Sequence, residues 1–205
     1  MNCGIQNASG NVIQVLHSDD YNIDENIYEK VRTIFKKVNC EWLFARVRSV
    51  DIEKKFVGET PPKFIKMYKF RLLKIINYIP HVGVFMRKNI FETYGYFDIG
   101  LKILMDWEYW LRIGKKYTPF FVDEYWCTAR LHQNSLSIRE SFSKLMHQEE
   151  WFILKRHLKW PYNICVYAAQ FMFALIHFLK RKTITIVWKF PILEFARLMG
   201  INSQI

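Results

Sequence analysis

Asp19 and Asp20 are adjacent carboxylates that close an apolar, strand-length run, Val12-Ile13-Gln14-Val15-Leu16, through His17 and Ser18. Two neighbouring carboxylates repel each other unless a cation or strong donors lie between them. A hard divalent ion, Mg2+ or Mn2+, suits the pair, because it takes oxygen ligands and shares its shell with phosphates. Open α/β sheets gather their ligands at the carboxyl ends of strands, and that is where this pair falls. The plainer reading is a strand ending in a polar turn, with Asp20 or Asn22 capping the next helix. Two further residues are of types that do chemistry. Asp106 falls in the first turn of an amphipathic helix, where a carboxylate commonly serves only the helix dipole. His132 sits in the polar loop His132-Gln133-Asn134-Ser135, and a lone loop histidine is more often a surface residue than a ligand.

Such groups need elements to hold them. Asn2 to Ser9 reads as a helix end or loop closed by Gly10, followed by the strand Val12 to Leu16. Asp24 is the expected N-cap of a helix from Glu25 to Lys37, with Ile27, Val31, Ile34 and Phe35 on one face. Glu41 to Val50 and Lys54 to Val57 alternate enough for two strands of a hairpin. Thr60-Pro61-Pro62 breaks the chain. Phe64 to Ile79 is basic and aromatic, with weak helical periodicity. Pro80-His81 then leads a strand, Val82 to Met86, and a helical turn over Asn89 to Tyr94, with Gly95 suited to a left-handed C-cap. A helix from Leu104 to Lys116 follows, with Leu104, Trp107, Trp110, Leu111 and Gly114 on its apolar face. Phe120 to Val122 and Trp126 to Leu131 read as strands, and only helices are expected beyond Glu140.

Composition narrows the class. A hydrophobic content of 51% with 17% aromatics excludes a disordered chain. The net charge of +11 is scattered, with no basic run longer than Lys180-Arg181-Lys182. Scattered charge suits an anionic membrane surface or a phosphorylated substrate, and no helix-turn-helix, zinc-finger or RNA-binding pattern supports a nucleic-acid partner. Cys3, Cys40, Cys127 and Cys165 are far apart and form no CxxC pair. They read as reduced thiols of a cytoplasmic protein, not a disulfide frame or zinc site. Met1-Asn2-Cys3-Gly4 has neither the basic start nor the apolar core of a signal peptide.

Taken with their surroundings, the candidate residues resemble family 2 glycosyltransferases, inverting enzymes of the GT-A fold that use nucleotide-sugar donors. Gly4 to Ile13, continuing through Leu16-His17-Ser18-Asp19-Asp20, looks like the stretch leading into the family's acidic motif. Pro80 to Lys88 with Gly95-Tyr96-Phe97-Asp98 is similar to its acceptor-side strand and "G-x-F-D" turn. Met105-Asp106-Trp107-Glu108-Tyr109-Trp110-Leu111-Arg112 is similar to the helix carrying the catalytic acid. Arg130-Leu131-His132-Gln133-Asn134-Ser135-Leu136-Ser137 resembles the closing "R-x-H-x-x-S-x-S" segment. The four matches cover residues 2 to 137 in the family's order.

The resemblance implies a role for each residue. Asp20 would bind the metal that bridges the donor's phosphates, and Asp19 would lie nearer the ribose or support the metal from behind. Asp106 would be the general base that activates an acceptor hydroxyl. His132 would be a further metal ligand or a diphosphate contact. His81 would shape the acceptor side, where Trp107 and Trp110 would offer a stacking surface unless they pack in the core. His17 departs from the family's usual Asn. The family's first strands, which bind the nucleobase and carry an early Asp, have no counterpart in this sequence.

The expected organisation is therefore an α/β, partial GT-A (Rossmann-like) domain over residues 1–138, followed by a helical, basic region over 139–205. Tyr162 to Leu179 is free of formal charge and flanked by lysines and arginines on both sides. Asn163, Gln170 and His177 form one polar stripe, so a helix lying in an anionic leaflet or packed on the domain is favoured over a span. Thr183 to Met199 would suit the same surface. The expected activity is inverting transfer from a nucleotide-sugar donor to a glycan or lipid-linked acceptor, at the inner face of the membrane. The alternative is a catalytically silent relative that pairs with a complete enzyme.

Overall fold

The computed structural model describes residues 1–132, 143–162, 164–168 and 172. The chain divides into two compact units, Met1–Ile153 and Leu154–Ile205. The expected domain end at residue 138 falls within 133–142, outside the described residues.

The first unit is mixed α/β around a curled sheet, the class expected from the sequence. Its elements are α1 (Asn2–Asn7), β1 (Val12–Gln14), β2 (Tyr21–Asn22), α2 (Ile27–Lys37), β3 (Trp42–Val50) and β4 (Phe56–Thr60). After them come α3 (Phe70–Leu73), a 3-10 turn His81–Gly83, β5 (Val84–Arg87), α4 (Lys88–Tyr94), α5 (Met105–Gly114), β6 (Phe120–Arg130) and α6 (Ser143–His157). The strands run in the order β1-β5-β3-β6-β2. β3 is the hub: β5 pairs with its first half antiparallel, β4 with its second half antiparallel, and β6 lies parallel along its other edge. Being flanked on both edges, β3 buries every residue from Trp42 to Val47, which is the near-continuous apolar run of a central strand.

One face of the sheet receives α2, whose Ile27, Val31 and Phe35 pack with Leu43, Ala45, Phe85 and Trp126. α5 supplies a second core group, where Trp110 stacks on Trp42 with ring centroids 5.4 Å apart.

Several elements differ from their expected bounds. β1 stops at Gln14 because its partner β5 pairs with only Val12, Ile13 and Gln14, and Leu16 is exposed. Asn26, not Asp24, occupies the N-cap position of α2; the Asp24 carboxylate instead accepts the Asn26 backbone N–H at 2.9 Å and closes the preceding turn. Within Phe64 to Ile79 the one regular element is α3. Gly95 takes a positive φ of 78°, but its ψ of 178° is extended, so it closes α4 without the left-handed helical cap expected. The two strands expected at Phe120 to Val122 and Trp126 to Leu131 are one. Ala45 faces Val122, but Arg46 faces Tyr125 and Val47 faces Cys127. Asp123 and Glu124 thus bulge out of a continuous strand, and the buried Arg46 guanidinium bonds to Asp123.

In the second unit, Ile164 and Cys165 donate backbone N–H groups to the carbonyl of Pro161. Most of the stretch 162–179 and all of 183–199 lie outside the described residues. Among the described residues no helix is long and apolar enough to cross a membrane.

Gly83 joins the 3-10 turn to the sheet. A Cβ there would sit 2.8 Å from the Ala45 carbonyl and 2.8 Å from a Val47 methyl. Gly83→Ala is expected to destabilise the fold by about 1–3 kcal/mol, the usual range for overpacking. A lower urea midpoint with an unchanged slope is the readout.

Candidate functional site

Asp19 and Asp20 lie in the turn between β1 and β2, and the far end of β6 holds both in place. Asp20 Oδ1 accepts the Arg130 backbone N–H at 3.1 Å. Asp19 Oδ2 lies 2.9 Å from His132 Nε2. The Leu131 N–H donates to the Val50 carbonyl at 2.7 Å. The acidic turn and the carboxyl ends of β3 and β6 therefore meet at one end of the sheet, with His132 among them.

Beneath the turn lies a polar knot. Gln14 Nε2 donates to Asn22 Oδ1 at 3.0 Å and to the Val82 carbonyl at 2.9 Å, and Asn22 Nδ2 donates back to Gln14 Oε1 at 3.3 Å. The Cys127 thiol donates to Asn22 Oδ1 at 3.2 Å. Burial pushes that thiol up to about 12, so it remains a neutral donor. These contacts tie β1, β2, β6 and the 3-10 turn together directly behind the carboxylates. An inward-facing glutamine in an otherwise apolar strand was the sequence signal for it, since buried amides find partners.

The two carboxylates differ. Desolvation raises Asp20, and the charge of Asp19 adds to it, against the hydrogen bond from Arg130. For Asp19 desolvation also opposes the charge, but His132, the local backbone N–H and His17 together hold it below the ordinary range. Among the described residues no three His, Cys, Asp or Glu side chains converge to form a complete metal site. The pair nevertheless suits Mg2+ or Mn2+ in the mode where one or two carboxylates share the ion with substrate phosphates, and a cation would relieve the penalty that Asp20 carries.

Asp106 lies in the first turn of α5. Its Oδ1 accepts the Trp107 N–H at 2.7 Å and its Oδ2 accepts Asn77 Nδ2 at 3.2 Å. Burial pushes its carboxyl from 3.8 up to about 6, against the pull of the Trp107 and Asn77 hydrogen bonds and the field of His17. That field reaches Asp19 and Asp20 as well. The exposed His17 ring lies 5.2 Å from the ring of His81. The sequence marked His17 only as a departure from a family pattern; nothing in it pointed to Asn77.

The loop before α5 is pinned from a distance. No side chain caps the helix at Leu104. Instead the buried Glu149 carboxylate of α6 accepts the N–H groups of Lys102, Ile103 and Leu104 at 2.7, 3.0 and 2.8 Å. Along the helix Arg112 bonds to Glu108 at 2.6 Å and to the carbonyls of Tyr94 and Tyr96 at 2.7 and 3.0 Å. Asp106 is therefore held by an anchored helix.

Of the two readings for Trp107 and Trp110, core packing is the one the structure takes. Trp107 and Trp110 are 2% and 1% exposed, with Trp107 Nε1 bonded to the Leu73 carbonyl at 2.7 Å. Neither has a face to offer a sugar; both are core. His81 packs near Phe97 and Trp110 with a buried Nε2 that has no hydrogen-bond partner. Burial pushes it down to about 3, with His17 and the N-terminus adding, so its imidazole is neutral. The segment Gln133 to Ser137 lies outside the described residues.

No family model and no curated protein matches the chain. Among solved structures, S. aureus TarS 1–349 is similar at 13% identity over 82% of this chain and 48% of that one, with a TM-score of 0.55. A second S. aureus TarS structure is similar at 15% identity over 83% of this chain and 29% of that one, with a TM-score of 0.49. The chain thus spans about half the length of TarS 1–349. The likeness is one of fold, a mixed α/β architecture.

Asp106 gives a stability test. Its folded value of about 6 lies above the ordinary 3.8. The protonated form therefore stabilises the fold at low pH, and that contribution disappears as pH rises through 6. At pH 8 the ionised carboxylate is a burden, so Asp106→Asn is expected to raise stability by about 1–2 kcal/mol. At pH 4 the difference should shrink towards zero. Urea unfolding at the two pH values measures it.

Proposed function

We propose that this chain carries the acceptor-side half of a glycosyltransferase that moves a sugar from a nucleotide donor to a glycan or lipid-linked hydroxyl, with inversion. The observation that carries the reading is the placement of Asp106. A carboxylate pushed up to about 6 lies in the first turn of α5, within the field of the same His17 that acts on Asp19 and Asp20, in a fold similar to that of S. aureus TarS 1–349.

Asp106 is the general base. Ionised at neutral pH but desolvated, it takes the proton of the acceptor hydroxyl as that oxygen attacks the anomeric carbon. The Trp107 N–H and Asn77 amide hold its two oxygens, so the carboxylate is oriented before substrate arrives. Asp20, braced by Arg130, and Asp19, braced by His132, face the donor's diphosphate. A Mg2+ or Mn2+ ion shared by these carboxylates and the phosphates would neutralise charge on the departing nucleoside diphosphate.

Two expected outcomes test this. Calorimetric titration of the chain with a nucleoside diphosphate and Mn2+ should show binding that Asp20→Ala abolishes and Asp106→Asn leaves intact. Absence of binding by a folded chain would return it to the silent, partner-dependent role. In the complete enzyme, Asp106→Asn should lower turnover by at least about 100-fold, the lower end for loss of a general base. Wild-type turnover should fall as pH drops through about 6, where Asp106 takes up its proton. A flat profile between pH 5 and 8 would remove Asp106 from the chemistry.

A further inference from the structure

The turn joining β3 to β4 is closed by its own hydrogen bonds. Asp51 Oδ1 accepts the N–H groups of Glu53 and Lys55, both at 2.9 Å. The Asp51 N–H donates to the Lys55 carbonyl at 3.0 Å, and Lys54 takes a φ of 64° to complete the bend. A turn satisfied in this way would ordinarily be polar. Here it carries Ile52 at 73% exposure and Phe56 at 59%, with Val57 exposed beside them. Single exposed apolar residues need no explanation, but three within six residues of a rigid turn form a patch. Lys54 and Lys55 lie between them.

The turn also has a place. It begins at Val50, whose carbonyl accepts the Leu131 N–H at 2.7 Å, next to the Arg130 that braces Asp20. Leu16 and Tyr21, on either side of the acidic turn, are exposed as well. The apolar tip and the acidic pair therefore stand at the same end of the sheet.

We propose that this Asp51-closed, Ile52/Phe56-bearing turn is a docking tip that sets the acidic site against the surface of an anionic lipid bilayer. The proposal rests on the transfer reading above and deepens it, because the acceptor would then be presented at a lipid surface. Charge selects the occupant. In the turn Asp51 and Glu53 balance Lys54 and Lys55, with Lys55 2.6 Å from Glu53, and the basic excess comes from Lys63, Lys66, Lys69, Arg71 and Lys74 in the segment that follows, within a net charge of +11. Asp19 and Asp20 oppose an anionic surface, so the apolar side chains make the contact and the lysines choose the leaflet.

The test uses the full 205-residue chain and vesicles of phosphatidylcholine with and without phosphatidylglycerol. Wild type should co-sediment with the anionic vesicles. Ile52→Ser combined with Phe56→Ser should weaken that partition by at least about tenfold. Lys54→Ser with Lys55→Ser should lessen the preference for phosphatidylglycerol. All of these side chains are exposed, so thermal midpoints should not move. A polarity-sensitive fluorophore on Ile52→Cys, with the exposed Cys3 and Cys165 changed to Ser, should shift to the blue on anionic vesicles. The same probe on Glu29→Cys in α2 should not.

Unchanged partition in the Ile52/Phe56 variant would overturn the proposal, by assigning binding to another part of the chain. Equal binding to neutral vesicles would overturn it too. So would a wild-type oligomer that the variant dissolves without any change at vesicles, because a second copy would then cover the tip. Nucleoside diphosphate binding should be untouched by the tip variants. If it is absent while vesicle docking survives, the transfer reading fails and the docking tip stands.

Discussion

The parallel pairing of β3 with β6 is the constraint on which the rest depends. It runs the full length of the central strand and ends where the Leu131 N–H reaches the Val50 carbonyl. That last bond sets the depth of Arg130, whose own N–H is the one that Asp20 accepts. Two residues further on, His132 meets Asp19. A slip of one residue would turn every side chain of the strand to the opposite face, and both contacts to the acidic turn would go. The bulge at Asp123 and Glu124 adjusts this register partway along the strand. Arg46, buried and bonded to Asp123 and to the carbonyls of Pro61 and Ile65, fixes the bulge in place.

The second requirement is a buried carboxylate that stays usable. Asp106 gains its raised proton affinity from desolvation, which alone would favour a neutral acid. The Trp107 N–H and the Asn77 amide temper that effect. The value of about 6 is thus a balance between burial and two donors, the Trp107 amide within α5 and the Asn77 side chain in the segment after α3.

Local signals were legible in the sequence, and long-range ones were not. The apolar run into Asp19-Asp20, the hairpin of β3 and β4, the face of α2 and the position of Asp106 in a first turn all follow from periodicity and capping chemistry. What failed depended on partners distant in the chain. β1 ends early because β5 is short, a fact that no residue of β1 encodes. The polar Asp123-Glu124 pair imitates a strand break, since its partner Arg46 lies 77 residues away. The burial of Trp107 and Trp110 was legible in the apolar face of their helix, but their partners Leu73 and Trp42 were not. Asn77 and Glu149 look like ordinary polar residues until the fold brings them to Asp106 and to the loop before it.

Glu149 has a consequence in time. The amides it accepts belong to residues 45 to 47 positions earlier in the chain. During synthesis the sheet can pair as soon as β6 has emerged, but the loop leading to Asp106 still lacks its anchor. Domains fold as their chain becomes available, so this carboxylate arrives after the strands and finishes the loop before Asp106, a residue made long before. A ribosome-bound chain ending at β6 would hold every described strand of the sheet and the Arg112 contacts of α5, while the amides of Lys102, Ile103 and Leu104 still waited for their acceptor.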